Sequence, residues 1–155
     1  MKLPRLAILD RDGVLNYASR APSSPIYYIL SPDALVLKPG VLEAVRLLAI
    51  HSIPMVLATK QRCVSKGLLT RDELFNINEA LETKLGIQFQ AVYTEEVEDT
   101  KAGLYREILA RFEVSPTDTV LFDDSATERG EASKLGISAY DGENLLESVT
   151  TLLHL

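Results

Sequence analysis

Short apolar runs alternate with amphipathic helical stretches along the whole chain, and that alternation leaves few folds open. The runs are "RLAILD" (5–10), "PMVLAT" (54–59), "FQAVYT" (89–94), "TVLFDD" (119–124) and "ISAY" (137–140). Each is of strand length and continuously apolar rather than alternating, the pattern of a strand covered on both faces. Between them, "KPGVLEAVRLLAIHS" sets Val41, Leu42, Val45, Leu48 and Ala49 on one helical face. "TRDELFNINEALETKLG" opens with Thr70 and Glu73 at capping-box spacing and carries Leu74, Ile77, Leu81 and Leu85 as a stripe. Gly86 follows where a left-handed cap is needed. "GLYREILARF" turns Leu104, Ile108 and Phe112 inward, "TERGEASKLG" is a short helix, and "NLLESVTTLLHL" closes the chain. Residues 17–35, rich in Ser, Pro and Tyr, read as a loop with a short hairpin.

Strand–helix alternation of this kind predicts a parallel sheet covered by helices on both faces. Right-handed crossovers make it a three-layer, Rossmann-like, doubly wound α/β fold. The length of 155 residues fits a single domain, 1–155, and no segment is long enough for a large cap domain. The expected site is therefore open, or covered by residues 17–35 or by another subunit.

Composition narrows the function classes. A net charge of -6 argues against a nucleic-acid partner, whose phosphates need a basic face. It leaves room for a small phosphate ligand, because a metal ion can reverse the local charge. The single Cys63 excludes a disulfide framework and a cysteine-rich zinc site. The start "MKLPRLAILD" reaches a charge too early for a signal peptide, and no apolar run approaches the length of a membrane span. These features predict a cytoplasmic protein with no membrane partner; they do not bear on oligomeric state.

In doubly wound sheets, ligands bind beyond the carboxyl ends of the strands. Strand one ends at Asp10, with Asp12 just after; strand two ends at Thr59; strand four ends at Asp123 and Asp124. Lys101 follows strand three and precedes its helix. Clustered carboxylates repel unless a cation joins them, and several together suit a hard, oxygen-loving ion such as Mg²⁺. A lysine and a hydroxyl alongside suit a phosphate group. One aspartate can attack phosphorus, and a second, displaced by two residues, can serve as general acid and then base.

"LDRDGVLN" resembles the first motif of the haloacid dehalogenase superfamily of aspartate-nucleophile phosphatases, Asp-x-Asp-Gly-Thr/Val. "VLATKQ" stands where that superfamily has its second motif, Lys101 where it has the lysine of the third, and "VLFDDSATERGEASKLGI" resembles the fourth in its paired-acid form. The likeness spans nearly the whole chain. It implies a Mg²⁺-dependent phosphomonoester hydrolase working through an aspartyl phosphate on a small phosphorylated metabolite such as a sugar phosphate. Asp10 would be the nucleophile, Asp12 the acid and base, and Thr59 and Lys101 the groups holding the transferring oxygens. The metal would lie on Asp10, the Asp12 carbonyl, Asp123 and Asp124, with Arg11, Lys60 and Gln61 as substrate-binding candidates.

Within the superfamily, the chain is most similar to the bacterial group containing heptose bisphosphate phosphatase and the histidinol-phosphate phosphatase domain. Several positions depart from that group. "YTEEVEDTK" replaces its cysteine-bearing zinc loop, Thr100 its arginine before the lysine, Lys60 its motif-two asparagine, and Phe122 its small residue before the motif-four acid. These departures predict a substrate other than a heptose bisphosphate.

Other classes compete. A receiver-like phospho-switch also uses acids, a threonine and a lysine at strand ends, but its lysine comes last and "AVYT" offers no acceptor aspartate. No Gly-x-Gly-x-x-Gly follows strand one, which excludes a dinucleotide fingerprint, and the first loop lacks the glycine and glutamate spacing of an EF-hand. A degenerate member that binds a partner without turnover remains an alternative.

Overall fold

The computed structural model describes residues 2–18 and 28–155. Five strands, β1 (Leu6–Leu9), β2 (Met55–Lys60), β3 (Val92–Glu95), β4 (Thr119–Asp123) and β5 (Ser138–Asp141), form one parallel sheet in the order β3-β2-β1-β4-β5. The helices are α1 (Val41–Ile50), α2 (Arg62–Ser65), α3 (Arg71–Leu85), α4 (Ala102–Phe112), α5 (Ala126–Lys134) and α6 (Leu145–Leu153), with single 3₁₀ turns at Pro32–Ala34 and Pro116–Asp118. The doubly wound fold is as expected. Among the described residues no inserted unit forms a large cap over the strand ends, and no helix is long and apolar enough to cross a membrane.

Alternate residues of the central strands feed two cores. Ala7, Leu9, Leu57 and Phe122 face α1, α3 and α6, joined by Val45, Ile77 and Val149. Ile8, Val56, Ala58 and Leu121 face α4 and α5, joined by Tyr105, Ile108 and Ala132. This explains the continuous apolarity of the runs: period-two alternation sends every second residue to a different helix layer.

Helix α3 carries the expected capping box, with Thr70 Oγ1 accepting from the Glu73 N–H at 3.1 Å and Glu73 accepting in return from the Thr70 N–H at 3.0 Å. Gly86 ends it at φ 69°. The expected face of α1 needs correction: Leu42 and Ala49 are exposed, and Ala44 is buried with Val41, Val45 and Leu48. At about 100° per residue, positions 42 and 49 fall on the flank of the stripe that position 44 completes. In α4 the fully buried positions are Tyr105 and Ile108, while Leu104 and Phe112 are half-buried. Strand β3 begins three residues later than "FQAVYT" suggests, because Phe89 is spent in the core before pairing begins at Val92. The hairpin expected within 17–35 falls partly on residues 19–27, outside the described residues. Of its flanks, Tyr17 N–H donates to Val36 O at 2.9 Å, and Asn16 forms an antiparallel bridge with Leu37.

The sheet order reverses direction between β1 and β4. From β1 the chain winds outward through β2 to β3 and then returns to β4. That reversal is where doubly wound folds open a crevice at the strand ends.

Candidate active site

Strands β1 and β4 leave the sheet side by side, with Leu9 paired to Phe122 and the Asp10 N–H donating to Phe122 O at 3.0 Å. Asp10 and Asp123 therefore emerge at the same height, both buried. Lys101, at the start of α4, reaches between them. Its Nζ donates to Asp10 Oδ1 at 3.0 Å, Asp123 Oδ2 at 2.7 Å and the Ala58 carbonyl at 2.9 Å. Asp123 is further fixed by the Ser125 N–H at 2.9 Å.

Asp124 stands exposed at the rim. Gly13 passes directly against it at φ 90°, where an added Cβ would lie 2.2 Å from Asp124 Oδ2. Only glycine tolerates both the backbone conformation and that approach. Oxygens of Asp10, Asp123 and Asp124 lie within 4.8 Å of one another.

The electrostatics follow from this crowding. Burial pushes the Asp10 carboxyl well above its ordinary pKa, Lys101 opposes that, and Asp123 and Asp124 add to it. Desolvation also lifts Asp124. For Lys101, burial alone would lower the pKa, but Asp10 and Asp123 outweigh it and hold the ammonium charged. Lys101 bonds two of the three acids, and the crowding that raises Asp10 and Asp124 is what a bound cation would relieve.

Asp12 sits in a different setting. Its oxygens accept from Arg11 Nε and Asn16 Nδ2, both at 3.0 Å, and from Gln61 Nε2 at 3.0 Å. Thr59 Oγ1, at the end of β2, accepts from the same Gln61 nitrogen at 2.8 Å.

These side chains border a cleft of about 180 Å³. Asp10, Asp12, Thr59, Lys60, Lys101, Asp123 and Asp124 all line it, so the structure brings most of the sequence-chosen residues together. A larger groove of about 510 Å³ runs along α6 and the end of β5 and contains none of them.

Two of the substrate-binding candidates are placed elsewhere. The Arg11 side chain is fully buried beneath the loop, donating to Asp12 and to Asn78 Oδ1 at 2.9 Å. A guanidinium spent on two internal acceptors is support for the loop rather than a surface for a ligand. Gln61 is likewise buried, behind Thr59 and Asp12. Lys60 does face the cleft, with its ammonium bonded to the Asp99 carbonyl and 3.9 Å from Glu128.

Glu128 was not among the sequence-chosen residues. It is buried in the first turn of α5, and both its oxygens accept from the Lys101 N–H at 3.0 Å. It also accepts from Tyr105 Oη at 2.8 Å, and burial together with the acids Asp123 and Glu128 raises the pKa of that phenol. The signal in the sequence was only an acid five residues after Asp123, indistinguishable from an ordinary helix-start charge.

No family model matches the chain. It is 29% identical over 147 residues to the D-glycero-β-D-manno-heptose-1,7-bisphosphate 7-phosphatase of Bordetella bronchiseptica, across 88% of this chain and 79% of that protein. The crystal structure of D,D-heptose 1,7-bisphosphate phosphatase from B. bronchiseptica, complexed with magnesium and phosphate, matches with a TM-score of 0.82 and 26% identity. That match covers 97% of this chain and 98% of the other. The D,D-heptose 1,7-bisphosphate phosphatase of Burkholderia thailandensis shares the fold, with a TM-score of 0.69 at 22% identity over 97% of this chain and 99% of that one. With the motif-bearing strand ends gathered at one crevice of the same fold, the chain resembles phosphatases of the haloacid dehalogenase superfamily.

Proposed function

We propose that the chain hydrolyses a small sugar phosphate through an aspartyl phosphate on Asp10. The observation that carries this is the buried Asp10 carboxylate, held by Lys101 beside Asp123 at the mouth of the cleft. The all-oxygen cluster of Asp10, Asp123 and Asp124, three acids set against one lysine, fits a hard divalent cation such as Mg²⁺. The Asp12 backbone carbonyl is the fourth ligand we assign. Bound there, Mg²⁺ supplies charge neutralisation and polarises a phosphoryl oxygen.

The chain's own residues do the rest. An Asp10 oxygen forms a bond to phosphorus as the bond from phosphorus to the leaving oxygen breaks, and Asp12 gives that oxygen its proton. Water then adds to phosphorus, Asp12 takes the water's proton, and the acyl-phosphate P–O bond breaks to return free Asp10 and inorganic phosphate. Thr59 holds a transferring oxygen through its hydroxyl, while Lys101, whose three N–H bonds go to Asp10, Asp123 and the Ala58 carbonyl, offsets the developing charge as a fixed ammonium. Lys60, on the cleft wall, is the candidate for contact with the leaving group.

A panel of phosphomonoesters, assayed with Mg²⁺ and again after chelation, tests this reading. Metal-dependent release of phosphate from a sugar phosphate is expected, with heptose bisphosphate turned over less efficiently than the best substrate. No turnover of any member with Mg²⁺ present contradicts the proposal and favours a partner-binding role.

A further inference from the structure

Gln61 is buried and, unlike Thr59 and Asp12, does not line the cleft. Yet it bonds the two groups whose orientation the proposed chemistry needs. We infer that Gln61 is a positioning residue: its single side-chain amide turns the Thr59 hydroxyl proton into the cleft and aligns the Asp12 carboxylate. This rests on the phosphatase reading above and adds to it a residue that acts through two others.

The amide's orientation is fixed by chemistry at both ends. An ionised carboxylate only accepts hydrogen bonds, so the atom 3.0 Å from Asp12 Oδ2 is the nitrogen. At the other end, the Cys63 thiol approaches Gln61 Oε1 at 3.6 Å as a donor. Both N–H bonds of the amide are therefore spent, one on Asp12 and one on Thr59 Oγ1 at 2.8 Å. Thr59 is thus an acceptor toward Gln61, and its own proton must point elsewhere. Among the described residues that proton has no protein acceptor, while the threonine lines the cleft. The open direction is where a phosphoryl oxygen sits in the proposed reaction.

The backbone keeps Gln61 in place. Its N–H donates to Glu95 O at 2.8 Å, continuing the β2–β3 ladder one residue past the strand, and the chain then turns into α2. Arg11 and Asn16 hold Asp12 from the other side, so loss of Gln61 loosens the carboxylate without freeing it.

The test compares Gln61→Met and Gln61→Glu with the unsubstituted protein, each checked for folding by thermal melting. The probes are p-nitrophenyl phosphate, glycerol 2-phosphate and inorganic phosphate as a competitive inhibitor. Methionine has similar length but donates nothing. Its kcat/KM should fall roughly 10-fold with p-nitrophenyl phosphate and further with glycerol 2-phosphate, whose alkoxide needs the Asp12 proton. The inhibition constant of phosphate should rise. Glutamate has the shape of glutamine, but its carboxylate repels Asp12 and accepts the Thr59 proton, drawing it away from the cleft. Gln61→Glu should therefore be the worse enzyme, whereas a packing role makes it the better one.

Equal losses with both substrates in Gln61→Met, or more activity in Gln61→Glu than in Gln61→Met, would overturn the inference while leaving the phosphatase reading intact. The first comparison decides alone if the glutamate variant does not fold. If the unsubstituted protein hydrolyses neither these esters nor any member of the phosphomonoester panel, both readings fall together.

Discussion

Asp10 and Asp12 lie two residues apart in the same loop and are held in opposite ways. Asp10 is buried among like charges, with Asp123 and Asp124 in its cluster and one ammonium, from Lys101, against it. Asp12 is surrounded by nitrogen donors from Arg11, Asn16 and Gln61. The first setting is electrostatically incomplete and gains from a cation. The second is complete within the protein. The contrast gives a physical basis for the division of labour we propose: an atom that forms a bond beside a metal, and an atom that moves protons from a fixed position.

The largest break in that comparison is Asp10→Asn. An amide cannot serve as the nucleophile, so kcat should fall by about 10³-fold or more, while thermal melting shows an intact fold. Near-normal kcat in the variant contradicts the assignment of Asp10.

Lys101→Met sharpens the comparison through stability. It leaves the Asp10 and Asp123 carboxylates buried without their common partner, and removing one member of such a set costs about 3–5 kcal/mol. A divalent cation should restore part of that loss, because it can neutralise the same oxygens. Chemical denaturation with and without Mg²⁺ reads both effects. A loss that Mg²⁺ leaves unchanged argues against a metal at this cluster.

The smallest expected effect lies far from either aspartate. Thr70→Ala removes the cap of α3 and should cost about 1 kcal/mol with kcat unchanged. The Glu73 side of the box has its own pH signature. Hydrogen bonding to the Thr70 N–H, then to its side chain, holds Glu73 below the ordinary carboxylate value. A depressed pKa stabilises the fold above the unfolded value, and that share is lost as pH falls through the folded one. Denaturation at a series of acid pH values, compared with Glu73→Gln, should show this share vanishing only in the wild type.

The two aspartates were equally visible in "LDRDGVLN", but their different surroundings were not. Strand ends were legible because continuous apolar runs stop abruptly at charged residues, which placed Asp10, Thr59 and Asp123 at one edge. Lys101 was legible by its place after strand three. The residues that support the site come from distant segments: Asn78 from the middle of α3 holds Arg11, Glu128 from α5 holds the Lys101 N–H, and Tyr105 from α4 holds Glu128. Their residue types look like ordinary helix polarity until the fold turns them inward. Arg11 is buried on Asn78, a partner 67 residues away that its place between two aspartates does not reveal. The start of β3 was misplaced because apolarity marks burial rather than pairing, and Phe89 is buried without being in the strand.

The central claim is a covalent aspartyl phosphate that forms on one aspartate and is discharged by the other, and Asp12→Asn with p-nitrophenyl phosphate tests it most directly. p-Nitrophenolate departs with little need of a proton, so the variant should still phosphorylate Asp10. Discharge needs a base for water, so it should be slow. Rapid mixing should give a burst of one p-nitrophenolate per active site followed by slow turnover, and quenched intact-mass analysis should find one phosphate on the protein. A folded, metal-bound Asp12→Asn protein that shows neither burst nor phosphoenzyme contradicts the account.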